Sequence, residues 1–408
     1  MTATVVAIFA AVYLGMLLGG LPFLQLDRTG VALLGAIAVV GLNVLSPEQA
    51  ARSIHLPTLL LLFSFMVVSA QMRLGGFYDW VTLKVAALPL PPAALLGAVI
   101  GVVALLSAVF SNDVVCLAVA PLLADACERR RLDPVPFLLA LACAANVGSA
   151  ATLIGNPQNM LIGQKLALSF GGYALEALVP VLAGLALVWA LVAWQARGRW
   201  QAQAAPAAAR EARDERAPFD PWQSAKGLAV VGALMAAFLL TSWPRDVAAL
   251  IGAGLLLTSR KLHSRKMLGL VDWELLILFI GLFVVNHALE RTGLAERAMR
   301  SLAAAGAPLA APGPLFAATL VLSNLVSNVP AVMLLLPAAK AAFAGPMLAL
   351  VSTLAGNLLL VGSIANIIVV DAARRRGIVI GWRRHARTGV PVALATLALT
   401  AAWFALRA

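Results

Sequence analysis

The chain has 408 residues, 62% of them hydrophobic and 12% charged, with a mean hydropathy of +0.93. One water-soluble core of this size cannot bury that much apolar side chain, so the composition excludes a soluble enzyme or nucleic-acid-binding domain and makes the bilayer the solvent. The net charge of +12 is then loop charge that orients spans, not a footprint for nucleic acid.

Thr2 to Leu21 is an apolar run without a basic flank or a small-residue cleavage site, so it is expected as a retained span and not a signal peptide. Two further spans follow at about 29–45 and 56–72, then an amphipathic surface segment at 75–88. Next come a long apolar stretch broken in its middle (92–127), a broken span (135–167) and a full span (173–195). Cys116, Cys127 and Cys143 lie inside apolar segments and read as packing residues, not as a disulfide framework or a metal site.

Residues 196–224 have no sustained apolar stripe and are expected to be a cytoplasmic linker. Beyond them the chain matches itself at an offset of about 217. Arg28 with Leu33-Leu34-Gly35-Ala36 answers Arg245 with Leu250-Ile251-Gly252-Ala253, and Gly76 answers Gly293. One position out of step, Ser111-Asn112 answers Ser327-Asn328 and Pro121 answers Pro337.

Residues 1–195 and 225–408 are therefore expected to be two copies of one unit. In each, scaffold spans (1–90 and 225–305) precede a broken stretch and a broken helix (91–170 and 306–370). Five crossings per copy, about ten in all, invert the second copy. Placing the N-terminus outside puts most of the 30 Lys and Arg residues inside, so both termini are expected outside a bacterial-type inner membrane. Charge leaves open whether 92–127 and 312–344 each span twice or turn back as a hairpin, because both options enter and leave on one side.

Backbone breaks at membrane depth are tolerated only where protein, water or a ligand satisfies the freed groups. Four stand out: Ser111-Asn112-Asp113, Gly155-Asn156-Pro157-Gln158-Asn159, Ser327-Asn328-Val329-Pro330, and Gly356-Asn357 followed by Gly362-Ser363-Ile364-Ala365-Asn366. Each supplies amides, hydroxyls or carbonyls. Each also leaves a half-helix whose N-terminus attracts an anion, while the preceding carbonyls suit a cation. Asp113, a carboxylate in the middle of an apolar stretch, is the sharpest candidate for binding a cation or carrying a proton. No phosphate loop, His-Glu-x-x-His zinc site or Gly-x-Ser-x-Gly elbow is present, so neither an intrinsic ATPase nor an intramembrane hydrolase is supported.

As a set, Ser111-Asn112-Asp113, the segment Ala151 to Asn159 with Thr152, Ser327-Asn328-Val329-Pro330 and the segment Ala355 to Asn366 resemble the ion transporter superfamily. Its members include arsenite permeases, sodium/proton antiporters and divalent anion/sodium symporters. The resemblance covers nearly the whole chain except the linker.

It implies an all-α polytopic fold with two re-entrant hairpins and two broken helices, an elevator-type movement, and dimerisation of the kind common among such carriers. It also implicates Ser111, Asn112, Ser327 and Asn328 at the hairpin tips, and Gly155, Asn156, Asn159, Gly362, Ser363 and Asn366 in the loops. Asp113 and Val329 stand where the sodium/dicarboxylate branch has threonine, and the second loop lacks the proline of the first. The pattern is closer to the arsenite-permease and antiporter branches.

The expected function is secondary active transport of a small anion, an arsenite-like oxyanion or a carboxylate, coupled to protons or sodium. Thr152 and Asn357 complete the expected site, with a candidate sodium site at Asn112, Asp113 and Asn328. No cofactor is expected beyond the coupling ion. The alternatives are a sodium/proton antiporter and the membrane subunit of an ATP-driven arsenite efflux pump.

Overall fold

The computed structural model describes residues 2–21, 24–201 and 218–407. Most of the expected linker, 202–217, therefore lies outside the described residues.

The elements run α1 (Thr2–Leu18), a two-residue hairpin β1 (Gly20–Leu21) and β2 (Leu26–Asp27), α2 (Arg28–Gly41), short α3 (Pro47–Ser53), α4 (Leu56–Leu74) and α5 (Phe77–Ala86). Then follow α6 (Pro92–Val109), α7 (Asn112–Arg129), α8 (Pro134–Ser149), α9 (Pro157–Lys165) and α10 (Phe170–Gln195). After residue 217 the order is α11 (Pro221–Leu240), α12 (Arg245–Leu257), short α13 (Ser264–Leu268), α14 (Trp273–Glu290) and α15 (Leu294–Ala304). It closes with α16 (Pro312–Val326), α17 (Asn328–Leu335), α18 (Ala344–Ala355), α19 (Ile364–Arg374) and α20 (Trp382–Arg407).

Apart from the β1–β2 hairpin, the described residues form a helical multi-pass membrane protein. Among the described residues α4, α6, α10, α11, α14 and α20 are long and apolar enough to cross a bilayer; α1, α2, α8, α16, α17 and α18 are apolar and shorter. The broken stretches divide at Phe110–Ser111 and at Ser327, and the short polar helices α3 and α13, which the hydropathy pattern did not mark, sit in the loops before α4 and α14.

Local chemistry sets the boundaries. Asp27, Asp133, Ser169, Asp220 and Asp272 each accept a backbone N–H in the first turn of the helix they precede, and proline follows at the first turns of α8 and α11. Ser46 and Gln49 form a reciprocal capping box on α3. Gly76 and Gly293 take left-handed φ values of 67° and 69° at the turns into α5 and α15, a conformation that glycine adopts without penalty.

The packing pairs equivalents crosswise. α2 lies against α14 and α4 against α12, while α1 covers α2 and α11 covers α12. α8 is clasped by α6, α7 and α10, α16 and α17 pack on α18, and α10 and α20 lie side by side. Gly148 permits the tightest part of the α6–α8 contact: a Cβ there would stand 2.4 Å from Ala104 Cα.

Among the described residues the early helices meet α9 and α17 through few polar contacts, whereas Arg130 at the end of α7 donates to the carbonyls of Ala86, Leu88 and Leu90. Tyr13 donates to Asn286 Oδ1 at 2.9 Å and lies 3.5 Å from Pro330 O at the head of α17. Arg245 donates to Gly163 O in α9 at 2.9 Å. Its sequence counterpart Arg28 instead donates to Met16 O, within the early helices.

Candidate functional site

The first break is locked by its own capping chemistry. Asn156 caps α9 by accepting the Asn159 N–H at 2.9 Å, with Pro157 at the first helical position. Asn159 reaches back through Nδ2 to Thr152 O at 3.1 Å, and the Thr152 hydroxyl donates to Ala108 O in α6. The tip between α6 and α7 docks here: the Asn112 N–H donates to Gly155 O at 3.2 Å. Gly155 leaves room for this, since a Cβ would stand 2.3 Å from Ser149 O and 2.7 Å from Ser107 O.

The second break repeats the device with different residues. Asn366 Nδ2 donates to Gly356 O at 2.8 Å and to Leu359 O at 3.2 Å, closing the loop before α19 as Asn159 does before α9. The α16–α17 tip lies against it. Positions that Cβ atoms of Gly356 and Gly362 would occupy are 3.4 Å from Asn328 Nδ2 and 3.2 Å from Asn324 Oδ1. Ser327 turns this tip at φ 76°, ψ 161°, whereas Ser111 turns the first at an ordinary φ of −56°. Neither serine side chain caps the helix that follows it.

Two residues that sequence reasoning missed join the breaks. Asn146, in the last turn of apolar α8, accepts from Asn112 Nδ2 at 3.0 Å and from Ser363 Oγ at 2.9 Å. It donates to Asn357 Oδ1 at 2.8 Å and to Asn366 Oδ1 at 3.2 Å. Thr353, at the matching place in α18, accepts from Asn156 Nδ2 at 3.2 Å and from Gln158 Nε2 at 3.3 Å, and donates to Asn159 Oδ1 at 3.4 Å. The first half of each broken helix therefore holds the break of the other. Both hubs lie about ten residues before a half-helix cap, Asn156 or Ser363, and aligning the two halves on those caps would have exposed them. Tyr173 of α10 adds a further contact to the first break, donating to Ala150 O at 2.7 Å and accepting from Asn159 at 3.3 Å.

Thus Asn112, Gly155, Asn156, Asn159, Asn357, Gly362, Ser363 and Asn366 come together with Asn328 alongside. Thr152 braces the first loop, and Ser111 and Ser327 shape the tips. Asp113 stands at the edge. No hydrogen bond or ion pair among the described residues reaches its carboxylate, and none joins it or Asn112 to Asn328. Asn112 Oδ1, Asn328 Oδ1, Asn357 Nδ2 and Asn324 Oδ1 are buried without a partner among the described residues. These atoms are available to a bound species, because buried polar groups are otherwise paired. The network itself consists of amides and hydroxyls, with neither lysine nor arginine in it.

A cleft of about 1310 Å³, lined by Arg130, Arg131, Arg199, Arg376 and Arg384, opens at the α7–α8 turn, at the opposite end of both helices from the break. There Arg376 holds Asp125 at 2.7 Å and Arg384 holds Asp133 at 3.3 Å.

Known proteins are similar to this chain in sequence. Residues 5–354 match the family model described as citrate transporter. The rice silicon efflux transporter LSI3 is 31% identical, with 87% of each chain covered. The uncharacterized transporter Rv2684 of Mycobacterium tuberculosis is 30% identical over all of this chain and 99% of its own. A 46 kDa membrane protein of Mycobacterium leprae is 29% identical over 94% of each. The chain is therefore a membrane transporter and not an enzyme, and it belongs to the citrate transporter family within the ion transporter superfamily.

Proposed function

We propose that the chain is a secondary active carrier for a small oxyanion or its uncharged acid, bound between the two breaks and coupled to protons or sodium. The crossed network of Asn146 and Thr353, with unpartnered Asn112, Asn328 and Asn357 atoms beside it, carries this reading. Amides and hydroxyls suit a compact hydroxyl-bearing species. A multiply charged carboxylate would ask for the arginines or lysines that this network lacks.

The repeated element order supports two inverted repeats giving about ten crossings, with 92–129 and 312–338 as re-entrant hairpins whose tips end at the breaks. Both termini then lie outside, and the arginine-rich cleft faces the cytoplasm. The sparse polar contacts of the early helices with α9 and α17 support an elevator in which the paired breaks move as one body. The name of the rice relative adds weight to efflux of an oxyacid.

The test is uptake of arsenite, silicic acid and citrate into proteoliposomes. Transport of at least one of the two oxyacids, abolished by Asn146→Ala in protein that still folds, is expected. Citrate as the sole substrate would sink the oxyacid assignment.

A second reading, sodium/proton exchange, is favoured by the unpaired Asp113 alone. An internal pH dye that responds to external sodium without any oxyacid, and not in Asp113→Asn, would establish it.

A further inference from the structure

α10 and α20 are matching helices of 26 residues, and their fourth residues differ in kind: Tyr173 in one, His385 in the other. Tyr173 is fully engaged with the first break, as described above. His385 faces the second break, is 2% exposed, and has no hydrogen-bond partner at either ring nitrogen among the described residues. A buried imidazole without a partner is an anomaly that calls for a function.

Its position relative to the site follows from Gly389, one turn further along α20. A Cβ at that glycine would stand 2.4 Å from Asn357 O and 3.1 Å from His385 Nδ1. The absent side chain thus lets α20 approach the second break. The imidazole and the Asn357 carbonyl are within about 5.5 Å of each other, a gap that one water with two ordinary hydrogen bonds spans. Asn357 Nδ2, also unpartnered, belongs to the same residue.

Among the described residues nothing charged faces the ring. α10 brings Gln195, which bonds Thr388 and the Arg387 carbonyl. α18 and the turn at 360–362 carry no ionisable residue, and α8 contributes only Cys143, with its cap Asp133 held by Arg384. On α20 itself Arg383, Arg384 and Arg387 are exposed. These arginines mark the polar end of α20, from which water can reach its first turn.

We infer that His385 is the proton-carrying group of this carrier, binding one proton beside the Asn357 end of the second break and releasing it on the other side of the membrane. The inference rests on the two-break site of the proposed function. One ring nitrogen accepts the proton from water at the polar end of α20, and the imidazolium returns it to water after the conformational change. The protein is unchanged over a cycle. An imidazolium in an uncharged, buried setting is unfavourable unless the occupancy of the adjoining site changes, and by linkage the substrate must shift proton affinity as much as the proton shifts substrate affinity.

The test uses full-length protein in proteoliposomes and whichever of arsenite, silicic acid or citrate the wild type accumulates under an imposed pH gradient. His385→Gln should lose gradient-driven accumulation at least about tenfold, yet exchange labelled for unlabelled probe at equal pH within about twofold of wild type. Intact gradient-driven accumulation in His385→Gln would overturn the proposal. Asn146→Ala should lose both activities; if it loses neither, the two-break reading fails whatever His385 does.

Should His385→Gln lose exchange as well, a His55→Gln, His263→Gln, His287→Gln variant leaves one imidazole for ¹⁵N NMR. A pH midpoint that moves when the probe is added supports the proposal, and an unmoved midpoint overturns it. A wild type that accumulates none of the three probes under a pH gradient overturns it at the reading on which it rests.

Discussion

The side-chain amide of Asn146 donates to Asn357 Oδ1 at 2.8 Å, joining two residues far apart in the chain at the centre of the molecule. Replacing Asn146 by alanine strands the Asn112 amide, the Ser363 hydroxyl and two asparagine oxygens. A buried polar group left unpaired costs about 1–3 kcal/mol. Asn146→Ala should therefore lower the melting temperature in detergent measurably as well as abolish transport.

Thr353→Val keeps the shape and removes the hydroxyl that Asn156, Gln158 and Asn159 share. Its effect should fall on the first break, although the residue belongs to α18. Transport should drop at least about tenfold, with a stability loss of about 1–3 kcal/mol. Hydrogen exchange of the 150–159 backbone should rise more than that of 356–366; the reverse order would contradict the crossed arrangement.

Two glycines give a matched contrast. Gly155→Ala forces a Cβ within 2.7 Å of two carbonyl oxygens and should cost about 1–3 kcal/mol as overpacking, with loss of transport. Gly101→Ala, in α6, meets nothing within 4 Å and should stabilise by about 0.5–1 kcal/mol through helix propensity. Thermal denaturation of the two variants in one detergent checks both signs.

Arg245→Ala removes a charge-assisted bond to Gly163 O, a type worth about 1.5–3 kcal/mol. The equilibrium between docked and undocked α9 should move roughly tenfold or more toward undocked. Spin-label distances between α9 and α12 should broaden accordingly, while Arg28→Ala should leave them unchanged.

Asp220 precedes α11 and lies outside the spans. The backbone N–H of Gln223, with Lys261 and the Trp222 N–H adding to it, holds its carboxyl below the usual range. A depressed pKa means the capping contribution is present above the unfolded value and is lost as pH falls through the folded one. Amide exchange, corrected for its intrinsic pH dependence, should therefore quicken at Trp222 and Gln223 only below the ordinary carboxylate range. In Asp220→Ala it should be fast at every pH.

Sequence alone disclosed a good deal of this. Apolar runs located most helices, and the Gly-Asn-Pro and Ser-Asn interruptions marked the breaks, because a cap or a missing N–H leaves a local trace. Asn146 and Thr353 left none: each sits inside an uninterrupted apolar helix, and most of its partners lie in the other half of the chain. His385 was hidden for another reason, lying in an arginine-rich run that reads as an exposed loop although the ring itself points inward. The short helices α3 and α13 escaped because hydropathy does not register polar single turns.

Ser327 has one more consequence. Its φ of 76° with ψ of 161° belongs to a region that only glycine occupies comfortably, and such a residue stores on the order of 1–3 kcal/mol. The serine at the first tip carries no such tension. The two lips of the site are thus mechanically unlike: one rests in its own minimum, while the other is a bent spring held by the groups packed around it. Whatever loosens those groups will find the second lip already inclined to move.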